Sequence, residues 1–318
     1  MDVLTEIAFE EPFGYLTRNE DVHQYIEEAS GFLHMLELCS NFSAIHRVVF
    51  SRIMSPFQPK PADKTGMGAM LGVAQRVVRA RYAGTSPPRP DMLGSFIKNG
   101  LSQKEAESEA MLQILGGSDS TATAIRMTFL YITTNPTVYA KLIHEIDSAC
   151  DRNSRSVISS AQARTLPYLQ ACIKEGLRMW PPLVGLQGKV SPAGGETVNG
   201  TYIPGGIEVC WCPVSMQRRK DIYGADANLF RPERWIDVAN KDGNLRLSRM
   251  ERTLELLFGS GKYGCLGKTV AFMELDKVFV ALLQSFEWGI VDAVKPIKTI
   301  CHGVHVQTDL WMQARERS

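Results

Sequence analysis

One cysteine near the C-terminal end of the sequence stands in a glycine-rich loop. The loop runs from Phe258 to Gly267 and reads FGSGKYGCLG, so glycines surround Cys265 on both sides. Glycines let the backbone curl beneath a flat ligand, and the exposed amide N–H groups can hydrogen-bond a thiolate. The loop therefore predicts a metal-binding thiolate at Cys265. The alternative is an ordinary buried cysteine, because free cysteines are often buried.

A second segment places an acid next to two alcohols, at Asp119, Ser120 and Thr121. It follows a pair of glycines, Gly116 and Gly117, in the middle of a predicted helix, where each costs about 1 kcal/mol relative to alanine. A body lying close to the backbone, or a bulge in the helix, would account for the glycines. An acid beside an alcohol is suited to proton delivery. An exposed polar patch is the alternative, and it leaves the glycines unexplained.

A third pair of residues, Glu175 and Arg178, is spaced so that the two side chains face each other on one side of a helix. A solvated surface ion pair, worth a few tenths of a kcal/mol, is the simplest interpretation of this spacing alone.

The elements that position these residues are mostly helices. A capping box, Ser102 with Glu105, begins a long helix over about 102–134, which an Asn-Pro step ends. Apolar periodicity and the breaks at prolines and glycines predict further helices. They cover 22–38, 67–82, 168–179 and 266–286.

The pattern changes after a double proline at 181–182. The sequence Val198-Asn-Gly-Thr201 predicts a type I′ hairpin, and 207–211 alternates like a strand. The segment 230–234 follows, and the stretch after it, to 255, is predicted to be irregular. The fold class is therefore mainly α with a small β region (α+β).

Composition narrows the function. With 318 residues, 44% of them hydrophobic, the chain is large enough to enclose a cofactor. Lys and Arg number 35 and Asp and Glu 34, a balance that gives no reason to expect a nucleic-acid partner. Its seven scattered cysteines favour a reducing compartment. We expect a soluble or peripheral chain, since no apolar run reaches about 18 residues and the first residues do not form a signal peptide.

The cysteine loop resembles the signature of the cytochrome P-450 family, F-x-x-G-x-R-x-C-x-G. Phe258, Gly261, Cys265 and Gly267 match it in register. Lys262 stands where the family usually has arginine, which pairs with a haem propionate. Lysine offers a point charge instead of a bidentate fork, so the resemblance implies weaker but retained anchoring of haem.

Two other segments are similar to the same family. Glu175 and Arg178 match its E-x-x-R motif, and the segment around Arg234 resembles P-E-R-F, which implies one structural network of these three residues. The segment 116–121 resembles A-G-x-D-T-T of the family's distal helix, with Ser120 in place of the usual threonine. That likeness implies that Gly116 and Gly117 lie close to haem and that Asp119, Ser120 and Thr121 are catalytic.

The resemblance implies a single partial cytochrome P-450 catalytic domain over 1–318, of the type found in fungal specialised metabolism. Residues 1–180 would form the helical part with the distal helix, and 181–318 the β region, meander, cysteine loop and proximal helix. A membrane anchor, the first helices and most of the first sheet precede the corresponding segment in the family. Full-length relatives are expected on the endoplasmic reticulum membrane, held by that missing N-terminal anchor.

The implied activity is that of a haem-thiolate monooxygenase. It would bind haem b (iron protoporphyrin IX) through Cys265, take electrons from an NADPH-cytochrome reductase, and use O2 to hydroxylate or otherwise oxidise an apolar small molecule. Candidate pocket residues flank the paired glycines and the double proline: Met111, Leu112, Leu115, Leu183, Val184 and Leu186.

Two alternatives remain open at this point. The first is a non-catalytic haem-binding remnant of such an enzyme. The second is a haem-thiolate isomerase or dehydratase, whose known representatives tend to lack the acid-alcohol pair that this sequence retains.

Overall fold

The computed structural model describes residues 1–150, 156–185, 188–241 and 244–317. The chain forms two compact units, Met1–Ser120 and Thr121–Ser318. None of the helices within these described ranges is long and apolar enough to cross a membrane.

The first unit is helical. Its helices are α1 (Asp2–Phe9), α2 (Tyr15–Arg18), α3 (Tyr25–Asn41), α4 (Ser43–Val49), α5 (Gly66–Tyr82), α6 (Met92–Lys98) and the larger part of α7 (Gln103–Thr133). The core forms around α5, where Met70, Ala74 and Val78 recur every four residues on one buried face. Leu93 of α6 and Ile114 of α7 belong to the same apolar cluster.

Helix α7 begins with the predicted capping box. The Ser102 N–H donates to Glu105 Oε2 at 2.8 Å, and the Glu105 N–H donates to Ser102 Oγ at 3.4 Å. The helix then continues without a break through both glycines to Thr133. The predicted range of about 102–134 is therefore confirmed.

The second unit combines helices with short strands. Its remaining helices are α8 (Pro136–Ala149), α9 (Ser160–Ala163), α10 (Pro167–Met179), α11 (Pro213–Met216), α12 (Lys220–Tyr223), α13 (Glu233–Lys241), α14 (Asn244–Glu255) and α15 (Lys268–Ser285). The core packs α10 against α8 and α15, with Leu142, Ile173 and Phe279 fully buried. Helix α10 has a proline at its start, where a missing backbone N–H is tolerated.

The strands pair as antiparallel ribbons. They are β1 (Lys189–Val190), β2 (Glu196–Val198), β3 (Thr201–Ile203), β4 (Glu208–Val209), β5 (Phe286–Ile290), β6 (Lys298–Cys301), β7 (His305–Thr308) and β8 (Met312–Glu316). In the described ranges β1 pairs with β4, β2 with β3, β5 with β8 and β6 with β7. Asn199 and Gly200 both have positive φ, 50° and 80°, which confirms the predicted type I′ turn.

Two predictions of secondary structure were wrong. Of the strand predicted over 207–211, only the two residues of β4 form a strand. The stretch predicted to be irregular before Glu255 is mostly helical, as α13 and α14. Its apolar residues do have helical spacing, since Met250 and Leu254 lie four apart and both are buried. Numerous charged residues in the stretch obscured this pattern.

Candidate functional site

The cysteine loop of the second unit lies between a 3₁₀ turn, Leu256–Phe258, and helix α15. The Cys265 N–H donates to the Phe258 carbonyl oxygen at 2.7 Å and closes the loop. Gly259 has φ of 71°, and a Cβ built there would lie 2.6 Å from the Tyr263 carbonyl oxygen. Only glycine fits this position, so the loop shape follows directly from its sequence.

The Cys265 side chain is exposed, which does not fit an ordinary buried cysteine. It lies just before the N-terminus of α15, whose positive end favours a negative sulfur. Cys210 and Cys301 are also exposed, but they lie in or beside strands and lack a surrounding glycine loop. Cys172 shows the opposite environment, because burial raises the pKa of its thiol.

Two lysine side chains lie near one aromatic ring of this loop. The exposed Lys262 has its Nζ 5.8 Å from the centroid of the Tyr263 ring, and Lys189 of β1 has its Nζ 3.8 Å from the same centroid. The sequence predicts a role for Lys262 but not for Lys189. Nothing in the local sequence of β1 marks Lys189, because its place beside the loop arises only in the folded chain.

The side chain of Glu175 is the centre of a buried polar network. It accepts hydrogen bonds from Arg178 at 2.8 and 2.9 Å and from Arg234 at 2.8 Å. The Trp235 indole and the Arg231 backbone N–H each donate to it at 2.9 Å. Glu175, Arg178 and Arg234 are at most 1% exposed, so the interpretation as a solvated surface pair is wrong.

Arg178 connects α10, and Arg234 connects α13, to the segment that follows α11. Arg178 donates to the carbonyl oxygens of Gln217 and Ala227, both at 2.7 Å. Arg234 donates to the Tyr223 carbonyl oxygen at 2.6 Å and to Asp226 Oδ1 at 2.9 Å. Burial alone would raise the pKa of Asp226, but hydrogen bonds from Arg234 and Arg231 hold it below its usual value.

The paired glycines of α7 have different surroundings. A Cβ built on Gly117 would lie 2.8 Å from both terminal carbons of Leu4, so close packing within the first unit explains this glycine. Apart from its chain neighbours and the backbone of its own helix, no described atom lies within 4 Å of a Cβ built on Gly116. The helix therefore presents bare backbone at Gly116.

This difference predicts unequal effects of two matched substitutions on stability. Gly116→Ala should raise the free energy of unfolding by about 0.5–1 kcal/mol, since alanine favours the helix and meets open space. Gly117→Ala should give a value about 1–2 kcal/mol lower than Gly116→Ala, because Leu4 must move. Urea denaturation of the two variants measures the difference. Equal stabilities would contradict the packing role of Gly117.

The acid of α7 has a partner that the sequence analysis missed. Tyr25 of α3 is buried, and its hydroxyl donates to Asp119 Oδ2 at 3.1 Å. Ser120 Oγ donates to the Gly116 carbonyl oxygen at 3.0 Å, one turn earlier in the same helix. Thr121, the first residue of the second unit, is half-buried.

The predicted pocket residues have mixed environments. Met111 and Leu115 belong to the apolar core of the first unit, whereas Leu112 is 57% exposed. Leu183 forms an isolated bridge with Val304, and the Val184 N–H donates to the Gly303 carbonyl oxygen at 2.9 Å. Leu186 lies outside the described residues.

Comparison with known proteins identifies the family. The sequence profile of the family described as Cytochrome P450 matches residues 1–310. The chain belongs to the cytochrome P450 family.

Its curated relatives are fungal P450 enzymes. The chain is 41% identical to "Cytochrome P450 monooxygenase ABA1" of Pyricularia oryzae, with 100% of the chain and 62% of that protein covered. It is 39% identical to "Cytochrome P450 monooxygenase aba1" of Botryotinia fuckeliana, with 99% of the chain and 62% of the relative covered. The chain thus spans about three fifths of the length of these two relatives.

Solved structures give the same fold. The chain superimposes on the "Crystal structure of cytochrome P450DA heme domain" with a TM-score of 0.76 and 18% sequence identity. This superposition covers 100% of the chain and 66% of that structure. The mainly α fold with small sheets is therefore a P450 fold.

The donor groups present in the chain fit the haem that the P450 family implies. An exposed thiol in a loop of glycine amides is suited to bind iron. Haem also carries two carboxylates, its propionates, which need positively charged side chains close by. The exposed Lys262 and Lys189 provide such cations next to Cys265. The residues around Cys265 in the second unit therefore fit the haem that the family implies.

Proposed function

We propose that this chain is a haem-thiolate monooxygenase that oxidises an apolar small molecule, with Cys265 as the axial ligand of haem iron. The observation that carries this proposal is the exposed Cys265 in its closed glycine loop at the start of α15. The fungal relatives are named cytochrome P450 monooxygenases, which supports this activity. We assign the enzyme to fungal specialised metabolism.

When bound, haem b supplies oxygen activation with O2 and two electrons from an NADPH-dependent reductase. The protein's part is to hold the cofactor. The amides of the loop, including those near Phe258, Gly261 and Gly267, stabilise the thiolate of Cys265. Lys262 contributes a positive charge for a propionate, and we assign the same role to Lys189, which lies over the same aromatic ring.

Residues of α7 handle protons. Asp119 passes a proton from solvent towards the reacting centre, and the hydroxyls of Ser120 and Thr121 extend the path. The Ser120 hydroxyl already donates a hydrogen bond to the Gly116 carbonyl oxygen of its own helix, so it must turn away from that oxygen to donate elsewhere. Gly116 keeps the helix backbone open at this point, whereas Gly117 makes room for the side chain of Leu4.

The proposal also covers the residues that contact the substrate and the cellular location. In the first unit, Leu112 is an exposed apolar side chain suited to contact an apolar substrate, and Met111 and Leu115 belong to the core of that unit. In the second unit we assign the same role to the exposed Leu183 and to Val184. We assign full-length relatives of the chain to the endoplasmic reticulum membrane, where NADPH-cytochrome reductase is available.

The test is a difference spectrum of the reduced, carbon-monoxide-bound protein. The purified chain supplied with haem should give a Soret band at the position typical of thiolate ligation. Cys265→Ala should abolish this band, because no other thiol lies in a comparable loop in the described part of the chain. Cys301→Ala removes an exposed thiol of β6 and should leave the band unchanged.

Different results select between this proposal and the alternatives. A band that persists in Cys265→Ala would contradict the assignment of the ligand. A thiolate band in a protein that no reductase can reduce would favour the non-catalytic haem-binding remnant. Turnover of a peroxide without any reductase would favour the isomerase or dehydratase.

A further inference from the structure

The hydrogen bond between Tyr25 and Asp119 joins two parts of the first unit that are far apart in sequence. Tyr25 is the first residue of α3 and only 3% exposed, while Asp119 lies on α7. A buried hydroxyl that donates to a carboxylate makes a charge-assisted hydrogen bond, which is stronger than a bond between neutral groups. The geometry at Asp119 therefore depends on where α3 begins.

The backbone just before Tyr25 is strained. His23 and Gln24 are consecutive residues in the left-handed region, with φ of 62° and 55°. Residues with a Cβ rarely adopt this conformation, and it persists only where the surroundings enforce it. Here the Asp21 carboxylate accepts the Ile26 and Glu27 N–H groups, both at 3.0 Å. The strained turn thereby sets the position of Tyr25 at the start of α3.

The charge state of Tyr25 keeps the bond intact. Burial raises the pKa of its hydroxyl, and the negative charge of Asp119 raises it further. Tyr25 therefore stays protonated and remains a donor over the whole physiological pH range. Tyr15 of α2 faces the same carboxylate: burial raises its pKa, and the charges of Asp21, Asp2 and Asp119 add to the effect.

We propose that Tyr25 is a positioning residue, whose hydroxyl fixes the Asp119 carboxylate and favours its ionised form for proton transfer. The proposal rests on the proposed function, in which Asp119 handles protons. A donor to the ionised carboxylate stabilises that form relative to the acid. It also holds Oδ2 in one direction, so that Asp119 keeps a single orientation on α7.

Carbon-13 NMR of protein labelled at aspartate carboxyls tests this directly, without haem. Asp119→Asn identifies the resonance of Asp119, and a pH titration gives its pKa. Tyr25→Phe should raise that pKa by about one unit, because a hydrogen bond to a charged group is lost. Tyr82→Phe is the matched control, since Tyr82 lies in the same unit and donates to the Leu101 carbonyl oxygen instead.

A gentler variant covers the case in which Tyr25→Phe does not fold. Replacing Tyr25 by 3-fluorotyrosine keeps the ring and makes the hydroxyl a better donor, so the pKa of Asp119 should fall. An Asp119 pKa that is unchanged in either folded variant overturns the proposal. A pKa that moves equally in Tyr82→Phe overturns it too, because the effect would then be a general loosening of the unit.

The haem-loaded protein offers a second measurement. With a reductase present, Tyr25→Phe should lower the fraction of NADPH electrons recovered in product several-fold, with the thiolate spectrum unchanged. An unchanged fraction would contradict a role in proton transfer. If the thiolate band itself is absent, the proposed function fails, and the NMR titration still decides whether Tyr25 positions Asp119.

Discussion

Replacing Glu175 with alanine is expected to lower the free energy of unfolding by about 3–5 kcal/mol. The substitution leaves Arg178 and Arg234 buried without the carboxylate to which both donate. A buried charge that loses its partner is far more destabilising than a lost surface pair. It also removes the acceptor for the Trp235 indole and the Arg231 backbone N–H.

A neighbouring pair provides the control for this experiment. Lys174 Nζ lies 2.6 Å from Glu251, and the two side chains are 30% and 42% exposed. Glu251→Ala should therefore change stability by less than about 1 kcal/mol. Urea denaturation followed by circular dichroism compares the two variants. Similar losses in both would mean that the Glu175 network adds no more than a surface ion pair.

The buried network also shows what could be predicted from sequence. The spacing of Glu175 and Arg178 predicts contact on one helix face, and the structure has it. Spacing cannot report burial, because it does not show which other elements cover the helix. The resemblance to the family supplied Arg234, whose contact with Glu175 joins two separate helices.

The residues that could not be predicted from the sequence are those that contact a different element of the fold. Tyr25 and Lys189 carry no local motif, since one simply starts a helix and the other lies in a two-residue strand. Their partners, Asp119 and Tyr263, are distant in sequence. By contrast, the cysteine loop and the type I′ turn could be predicted, because the glycines that each of them requires lie close together in the sequence.

The helices α13 and α14 were missed for a different reason. Periodicity is clear where one face is apolar, but α14 is short and carries several arginines among its buried residues. Met250 and Leu254 are buried on this helix together with the polar Thr253, while Leu245 is 85% exposed. Packing against the rest of the second unit, which is a tertiary effect, stabilises such a short helix.

The second large expected effect concerns the lysines beside the cysteine loop. Replacing Lys189 and Lys262 together by glutamine should raise the dissociation constant for haem by about 100-fold or more. On the proposed function, each ammonium group lost would remove one charge-assisted contact to a propionate, worth about tenfold in affinity. Both ammonium groups lie over the ring of Tyr263, two residues before Cys265.

Titration of the purified chain with haem, followed by Soret absorbance, measures this effect, and each single variant should give about a tenfold loss. Lys298→Gln, on β6, removes an exposed lysine elsewhere in the unit and serves as the control. Lys262→Arg should tighten binding, because a guanidinium can grip a carboxylate with two parallel hydrogen bonds. If the double variant bound haem as the unchanged chain does, the propionates would have to be held by other residues. The two lysines would then serve only to pack against Tyr263.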